Sequence, residues 1–428
     1  MRSTLKILVI FVVTLTLCDG SRVLELTDKF AEIRRDGGHW LVMFYAPWCG
    51  HCKRLEPIWG HIAQTLYKTN IRVAKIDCTR FTGLAKEFGI NGFPTIKFFK
   101  VDQDFTYNGD RTKEDIVNFA LRMSSPPVQE ITRPDSFVNI KSSNNVFFLY
   151  VGQREGPLWE SYVQNAVKLQ QYAFFYATSF DVASQHVTIE GDPAAMVCKE
   201  NSCYFYTVES DADLDHINST LNKWINEERF ETFPKITRGN IHEIFHTKKY
   251  VVIAIVEENK LQQISPEMLE FRDMVESVIR KNRDKYHKHF QFGWIGSPEL
   301  ANSIAMTVLP LPYLLVLNST TNHHHIPEDE PTQLTVDALS IFLEQIYNQS
   351  VPAYGGNSFP VRLYRTYFEA RTSIGDMWKG NPVLTTVLFG LPLGFLSLIL
   401  YSICCQDILD ADEEDEETEP LLQHEKKE

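Results

Sequence analysis

The strand-forming run Trp40-Leu41-Val42-Met43-Phe44-Tyr45 passes within a few residues to Cys49-Gly50-His51-Cys52 and then to a helix-patterned stretch. No other feature constrains the chain as strongly. A strand handing over to a helix across so short a turn predicts a βα unit with the first cysteine at the helix N-terminus. Unpaired backbone N–H groups and the helix dipole favour an anion there. A thiolate is such an anion, and only the thiolate attacks a disulfide. The pattern points to a redox-active dithiol.

Two other uses of a CxxC fit less well. A zinc site needs a second ligand pair, yet His51 lies inside the motif and the next candidate, His61, stands nine residues beyond Cys52, so no metal is implied. A structural disulfide is disfavoured because a CxxC loop is tight and its bond reducible. No nucleotide or flavin motif is present, so no organic cofactor is implied either.

The chain begins with Arg2 and Lys6, an apolar core from Leu8 to Leu17 and a small residue at Gly20, the pattern of a secretory signal peptide. Val383–Cys405 is a second apolar run, uncharged and long enough to span a bilayer. About 360 residues lie between, enough for two or three domains. These features predict a lumenal or extracellular ectodomain, one span and a short tail, in a compartment that tolerates disulfides. Much of the formal net charge of −13 sits after residue 403, where eleven acids meet two lysines. The ectodomain is mildly acidic, without the basic stripe that nucleic acid requires. Arg362, Arg365, Arg371 and Lys379 precede the span and acids follow it, against the positive-inside tendency. A cleaved signal peptide followed by a stop-transfer segment still places the tail in the cytosol.

The run Phe44-Tyr45-Ala46-Pro47-Trp48-Cys49-Gly50-His51-Cys52-Lys53 resembles the active-site signature of the protein disulfide isomerase family. Pro57 stands where that family kinks its active-site helix, and Lys75-Ile76-Asp77 resembles the end of the central strand. Gly92-Phe93-Pro94-Thr95 is similar to the cis-proline loop, and Tyr107-x-Gly109-x-Arg111 to the arginine loop. The single CGHC and the span narrow the resemblance to the transmembrane, thioredoxin-related branch. Its member with one catalytic and two non-catalytic thioredoxin-like domains has the most similar layout.

The resemblance implies an α/β fold of three tandem thioredoxin-like domains, each a mixed central sheet flanked by helices, plus one transmembrane helix. The divisions expected are a signal peptide (1–20), a catalytic domain (21–126), two non-catalytic domains (127–229 and 230–352), a juxtamembrane linker (353–382), the span (383–405) and an acidic cytosolic tail (406–428). The pattern beyond Pro126-Pro127 agrees. Strand-like Val146–Val151, Tyr172–Ala177 and Ala194–Val197 precede a helix at Asp213–Asn226. Tyr250–Val256, helix Pro266–Arg280, Phe290–Ile295, Tyr313–Leu317 and helix Val336–Tyr347 repeat the order. Pro193 and Pro312, like Pro94, stand just before a late strand. Alternation of this kind indicates a mixed α/β sheet in its own right.

The implied chemistry makes Cys49 the nucleophile and Cys52 the resolving thiol of a Cys49–Cys52 redox disulfide. His51 places positive charge near the thiolate, Pro94 exposes backbone acceptors to a substrate strand, and Arg111 matches a mobile arginine that tunes Cys52. Cys49 is expected below an ordinary thiol's ~8.5, toward roughly 3.5–7.5, and the pair near about −180 mV. One departure stands out: the family's buried acid, six residues before the first cysteine, is Met43 here. Lys75, which normally pairs with that acid, is expected to lack its partner.

Cys198 and Cys203 flank a short polar segment between apolar runs and read as a structural disulfide before a second redox site, since CxxxxC lacks the helix terminus. Cys78 reads as a small, partly buried residue, and His323-His324-His325 as a solvated loop. Asn218, Asn318 and Asn348 head glycosylation sequons, all before the span. In the tail, Glu425-Lys426-Lys427-Glu428 resembles a shifted dilysine signal, Glu417–Leu422 fits an acidic dileucine pattern, and Cys404 and Cys405 are palmitoylation candidates. The expected place is the endoplasmic reticulum membrane, single-pass, with the N-terminal part in the lumen; the alternative is an endosomal or lysosomal membrane. The expected activity is thiol–disulfide exchange on folding or disulfide-bonded secretory proteins. Its alternative is a redox-independent client-binding chaperone or membrane-tethered adaptor.

Overall fold

The computed structural model describes residues 22–417 apart from 102, 190, 201, 209–212, 260 and 331–332. The expected signal peptide, the dilysine-like signal and Leu421-Leu422 lie outside the described residues, as do the side chains of Cys404 and Cys405.

The first sheet contains β1 (Leu24–Leu26), β2 (His39–Tyr45), β3 (Ile71–Asp77), β4 (Thr95–Phe99) and β5 (Asp104–Tyr107), in the spatial order β1-β3-β2-β4-β5. β1, β3 and β2 run parallel, whereas β4 and β5 are antiparallel, so the sheet is mixed. Side chains alternate across it, and both faces are covered. Leu41 and Met43 face α2 (Gly50–Leu66) and α4 (Lys113–Ser124); Trp40, Val42 and Phe44 face α1 (Phe30–Ile33) and α3 (Thr82–Glu87). Leu55, Trp59, Ile62, Ala63 and Leu66 recur at helical spacing and bury one stripe of α2. The Trp59 indole donates to the Ala74 carbonyl at 3.2 Å, fixing that helix to β3.

The second sheet repeats the plan with β6 (Gln129–Ile131), β7 (Val146–Val151), β8 (Phe174–Thr178), β9 (Ala194–Lys199) and β10 (Ser202–Phe205), in the order β10-β9-β7-β8-β6. Its helices are α5 (Pro134–Ser143), α6 (Pro157–Leu169), α7 (Phe180–Ala183) and α8 (Leu214–Glu228). The third has β11 (Tyr250–Ile255), β12 (Phe290–Ile295), β13 (Tyr313–Asn318), β14 (His323–His325) and β15 (Tyr354–Gly355), in the order β12-β11-β13-β14-β15. Here the outer parallel strand shrinks to one bridge, Lys235 to Trp294, with the Ile236 N–H donating to the Trp294 carbonyl at 2.7 Å. Its helices are α9 (Ile241–Phe245), α10 (Pro266–Lys281), α11 (Arg283–Tyr286), α12 (Pro298–Ala305) and α13 (Val336–Tyr347). The peptides before Pro94, Pro193 and Pro312 are cis.

Two helices follow. The stretch expected as a linker holds a helix of 22 residues, α14 (Phe359–Gly380), none of them buried. Phe359, Leu363 and Tyr367 recur every four residues along it, a helical spacing, and Pro360 in its first turn is compatible with a helix start. In α15 (Pro382–Glu417), Pro382–Ile403 has a mean hydropathy of 2.2 and is long and apolar enough to cross a membrane.

Candidate active site

Strand register assembles the site. Phe44 on β2 stands opposite Thr95 on β4, so the loop leaving β2 (residues 46–48) and the loop entering β4 (92–94) lie side by side. Ile96 opposite Tyr107 brings in the loop after β5, residues 108–111. Cys49 is the N-cap of α2, extended at φ −75° and ψ 114°, with its sulfur in the place where Ser, Thr or Asp caps other helices. That sulfur accepts the Cys52 N–H at 3.4 Å and, as a thiol, donates to the Phe93 carbonyl at 3.6 Å. Cys49 is 7% exposed and Cys52 3%, and both carry free thiols.

The environments drive the two thiols apart. Hydrogen bonding from the Cys52 thiol pulls Cys49 below its ordinary value, aided by the N–H groups of Cys52 and His51 and by the charge of Arg111, against burial. Burial pushes Cys52 up to about 11, and the hydrogen bond and negative charge it shares with Cys49 add to this. One sulfur is set to be a nucleophile and the other to hold its proton. Around them Trp48 is 72% exposed and meets Phe93 edge-on at 6.1 Å, an apolar rim beside open backbone. Arg111 donates to the Pro94 carbonyl at 3.2 Å.

The surroundings of His51 and Lys75 add detail, and for Lys75 a correction. The His51 Nδ1 lies 2.8 Å from an Arg54 guanidinium nitrogen. A guanidinium can only donate, so Nδ1 is the acceptor in this contact. Arg54 sits three residues beyond His51 on the same helix face, while the cation that acts on the two sulfurs is Arg111. Lys75 does not lack partners: it pairs with Glu56 at 3.0 Å and Glu25 at 3.3 Å. Glu25 is its neighbour in the β1–β3 register and Glu56 projects from α2, so neither is near it in sequence. Met43, buried, lies next to Lys75 across the β2–β3 pair.

The remaining candidates lie elsewhere. Cys198 and Cys203 face each other across the β9–β10 hairpin and are disulfide-bonded. Cys78 is buried, and burial pushes its thiol up to about 11. Asn218 lies on α8, its side chain bonded to Gln164 and Asn165 of α6. Asn318 ends β13, its oxygen accepting the Thr320 and Thr321 N–H groups, whereas Asn348 is exposed after α13. The three histidines are not a solvated loop. They form β14 between β13 and β15, which covers both His324 and His325, and His325 Nδ1 is bonded to the Pro352 carbonyl at 3.0 Å.

Comparison with known proteins places this geometry. A thioredoxin family profile matches residues 22–122 and a thioredoxin-like domain profile residues 151–345. Protein disulfide-isomerase TMX3 of Xenopus laevis is 36% identical over 395 residues, covering 91% of this chain and 84% of that protein. The chain belongs to the protein disulfide isomerase family. The Homo sapiens TMX3 protein is 35% identical over 400 residues, covering 93% and 85%. The solution structure of the first thioredoxin domain of mouse protein disulfide-isomerase A4 matches at 43% identity over 25% of this chain and 78% of that one, with a TM-score of 0.24. Like its family, the chain is a thiol–disulfide oxidoreductase, and its three mixed sheets flanked by helices are thioredoxin-like.

Proposed function

We propose that the Cys49–Cys52 pair performs this exchange on folding secretory proteins, at the lumenal face of the endoplasmic reticulum membrane. The observation that carries the reading is the Cys49 sulfur at the N-cap of α2, accepting the Cys52 N–H. In reduction, the Cys49 thiolate attacks one sulfur of a client disulfide, forming a mixed disulfide and expelling the other client sulfur as a thiolate. Cys52 then loses its proton and attacks the Cys49 sulfur. The client leaves as a dithiol, two electrons richer, and the enzyme keeps a Cys49–Cys52 disulfide. Oxidation runs these steps in reverse. Isomerisation follows when a client thiol resolves the mixed disulfide before Cys52 does.

Trp48 and Phe93 offer an apolar seat for an extended client segment, and the Phe93 and Pro94 carbonyls offer acceptors beside it. Arg111 stabilises negative charge on either sulfur. The second and third sheets, without a CxxC, are assigned to client binding and spacing. The helix Pro382–Ile403 is assigned to the membrane, with the preceding domains in the lumen and the acidic tail in the cytosol. Asn348 has the most accessible sequon.

Trapping tests the assignment. With a disulfide-scrambled secretory protein as client, Cys52→Ala should accumulate a covalent mixed disulfide through Cys49, and Cys49→Ala should form none. Equal adducts from both variants would overturn the division of roles.

A further inference from the structure

The loop that carries Arg111 is gripped from two sides. From within, the Tyr107 hydroxyl donates to the Asp110 carbonyl at 2.5 Å. From without, the Asp110 carboxylate meets a residue 127 positions further on: the Thr237 hydroxyl lies 2.7 Å from one oxygen and 2.9 Å from the other. Thr237 sits in a braced turn. Its hydroxyl accepts the Gly239 N–H at 3.2 Å, its N–H donates to Asn240 Oδ1 at 2.9 Å, and the Asn240 amide donates to the Lys235 carbonyl at 2.8 Å. Lys235 and Ile236 are in turn joined to β12. The approach is close. A Cβ at Gly239 would fall 2.6 Å from Asp110 Oδ1 and 3.0 Å from the Gly109 carbonyl carbon, which accounts for a residue without a side chain there.

On its far side the same loop is one wall of a cleft of about 380 Å³ whose other wall is residues 92–94. Those residues carry the carbonyls that bind Cys49 and Arg111. A long arginine side chain on an untethered surface loop is screened by water and spread over many rotamers, so its charge acts weakly on a sulfur. Held at the Pro94 carbonyl, it acts from one place.

We propose that Asp110, Thr237 and Gly239 form a clamp through which the third thioredoxin-like unit holds Arg111 beside the Cys49–Cys52 pair and sets the pair's reactivity. Asp110 and Thr237 are positioning residues that act through Arg111, and the inference rests on the reading of the two cysteines as the redox site. It makes the potential of a dithiol in the first unit depend on a hydroxyl in the third. Without the clamp, the reduced form loses part of its thiolate stabilisation and the disulfide gains.

The test is a glutathione titration of the full chain in detergent, with the 49–52 thiols trapped by alkylation and counted by mass. Thr237→Val keeps the shape of the side chain and removes the donor. It should shift the exchange equilibrium toward the disulfide by about two- to fivefold, the size expected of one partly screened charge. The pH midpoint of Cys49 alkylation should rise with it, and Thr237→Ser should restore both. In an Arg111→Met background, Thr237→Val should add nothing, because a positioning residue has nothing left to position. An unshifted Thr237→Val variant, or a shift that persists in full without Arg111, would overturn the clamp. A wild-type chain with no reversible transition would overturn the dithiol reading itself, and the clamp with it.

Discussion

Met43 fills its position with an uncharged side chain packed in the core. It is buried and next to Lys75 across the β2–β3 pair, yet Lys75 turns to Glu25 and Glu56 instead. Cys52 must lose a proton from a thiol pushed up to about 11, chiefly by burial and by its hydrogen bond to Cys49. Resolution of the mixed disulfide is therefore expected to be slow. Met43→Glu, within reach of Lys75, should raise turnover about five- to tenfold, a modest part of what a positioned base contributes. Single-turnover release of a trapped client reads this directly, and an unchanged or lower rate would remove the idea. The Cys49 thiol gives a second expectation: its alkylation rate should reach half its limit below the pH of an ordinary thiol, ~8.5, while Cys52 in Cys49→Ser should stay sluggish there. The motif revealed the cysteines because strand, turn and helix are all local. Glu25 and Glu56 as partners of Lys75 could not be read, since strand register and helix packing bring them in.

At the scale of elements, the strands and helices of the second and third sheets lie close to where their apolar patterns put them: Val146–Val151, Phe290–Ile295 and Val336–Tyr347 match residue for residue. Misplaced elements were those whose pattern is weak. The histidine strand β14 is short and polar, and α14 has no buried face to announce it. Trp59 is the largest anchor of the active-site helix, fully buried and bonded to β3. Trp59→Ala should cost about 3–5 kcal/mol in chemical denaturation and weaken the seat of Cys49. No sequence pattern exposed the join between α8 and α11. There Glu228 binds Lys199, Arg283 and His287, with the Lys199 side chain only 1% exposed. Burial would raise the Glu228 carboxyl, but the His287 hydrogen bond and the nearby cations hold it well below the usual carboxylate range. Glu228→Ala leaves buried cations uncompensated and should destabilise the protein by about 3–5 kcal/mol. Burial also lowers His287 from 6.5 to about 4. The unfolded chain takes up a proton between those values and the folded chain does not, so this join should be at full strength above pH 6.5 and weaken as pH falls toward 4. Denaturation midpoints across that range check the sign.

Across the whole molecule, the sequence conveyed the class of architecture better than the joins between its parts. Three sheets with the same middle-strand order could be anticipated because each repeats a strand–helix alternation with its own apolar strands. The clamp at Thr237 joins residues 127 positions apart and the Glu228 cluster residues 29 to 59 apart, and nothing in a linear pattern announces such pairs. The uncharged helix Pro382–Ile403 was legible from hydropathy alone. A chain ending at Gly356 should leave the detergent phase while keeping the exchange activity of the full chain, since every residue assigned to the chemistry lies before it. Cys49 and Cys52 are expected to form a poised, reversible redox pair, and the potential of that pair in glutathione buffers of graded composition reads this out. A reversible two-electron transition between about −180 and −210 mV is predicted. A pair that stays oxidised far below that range would contradict the account and make the CxxC a structural disulfide.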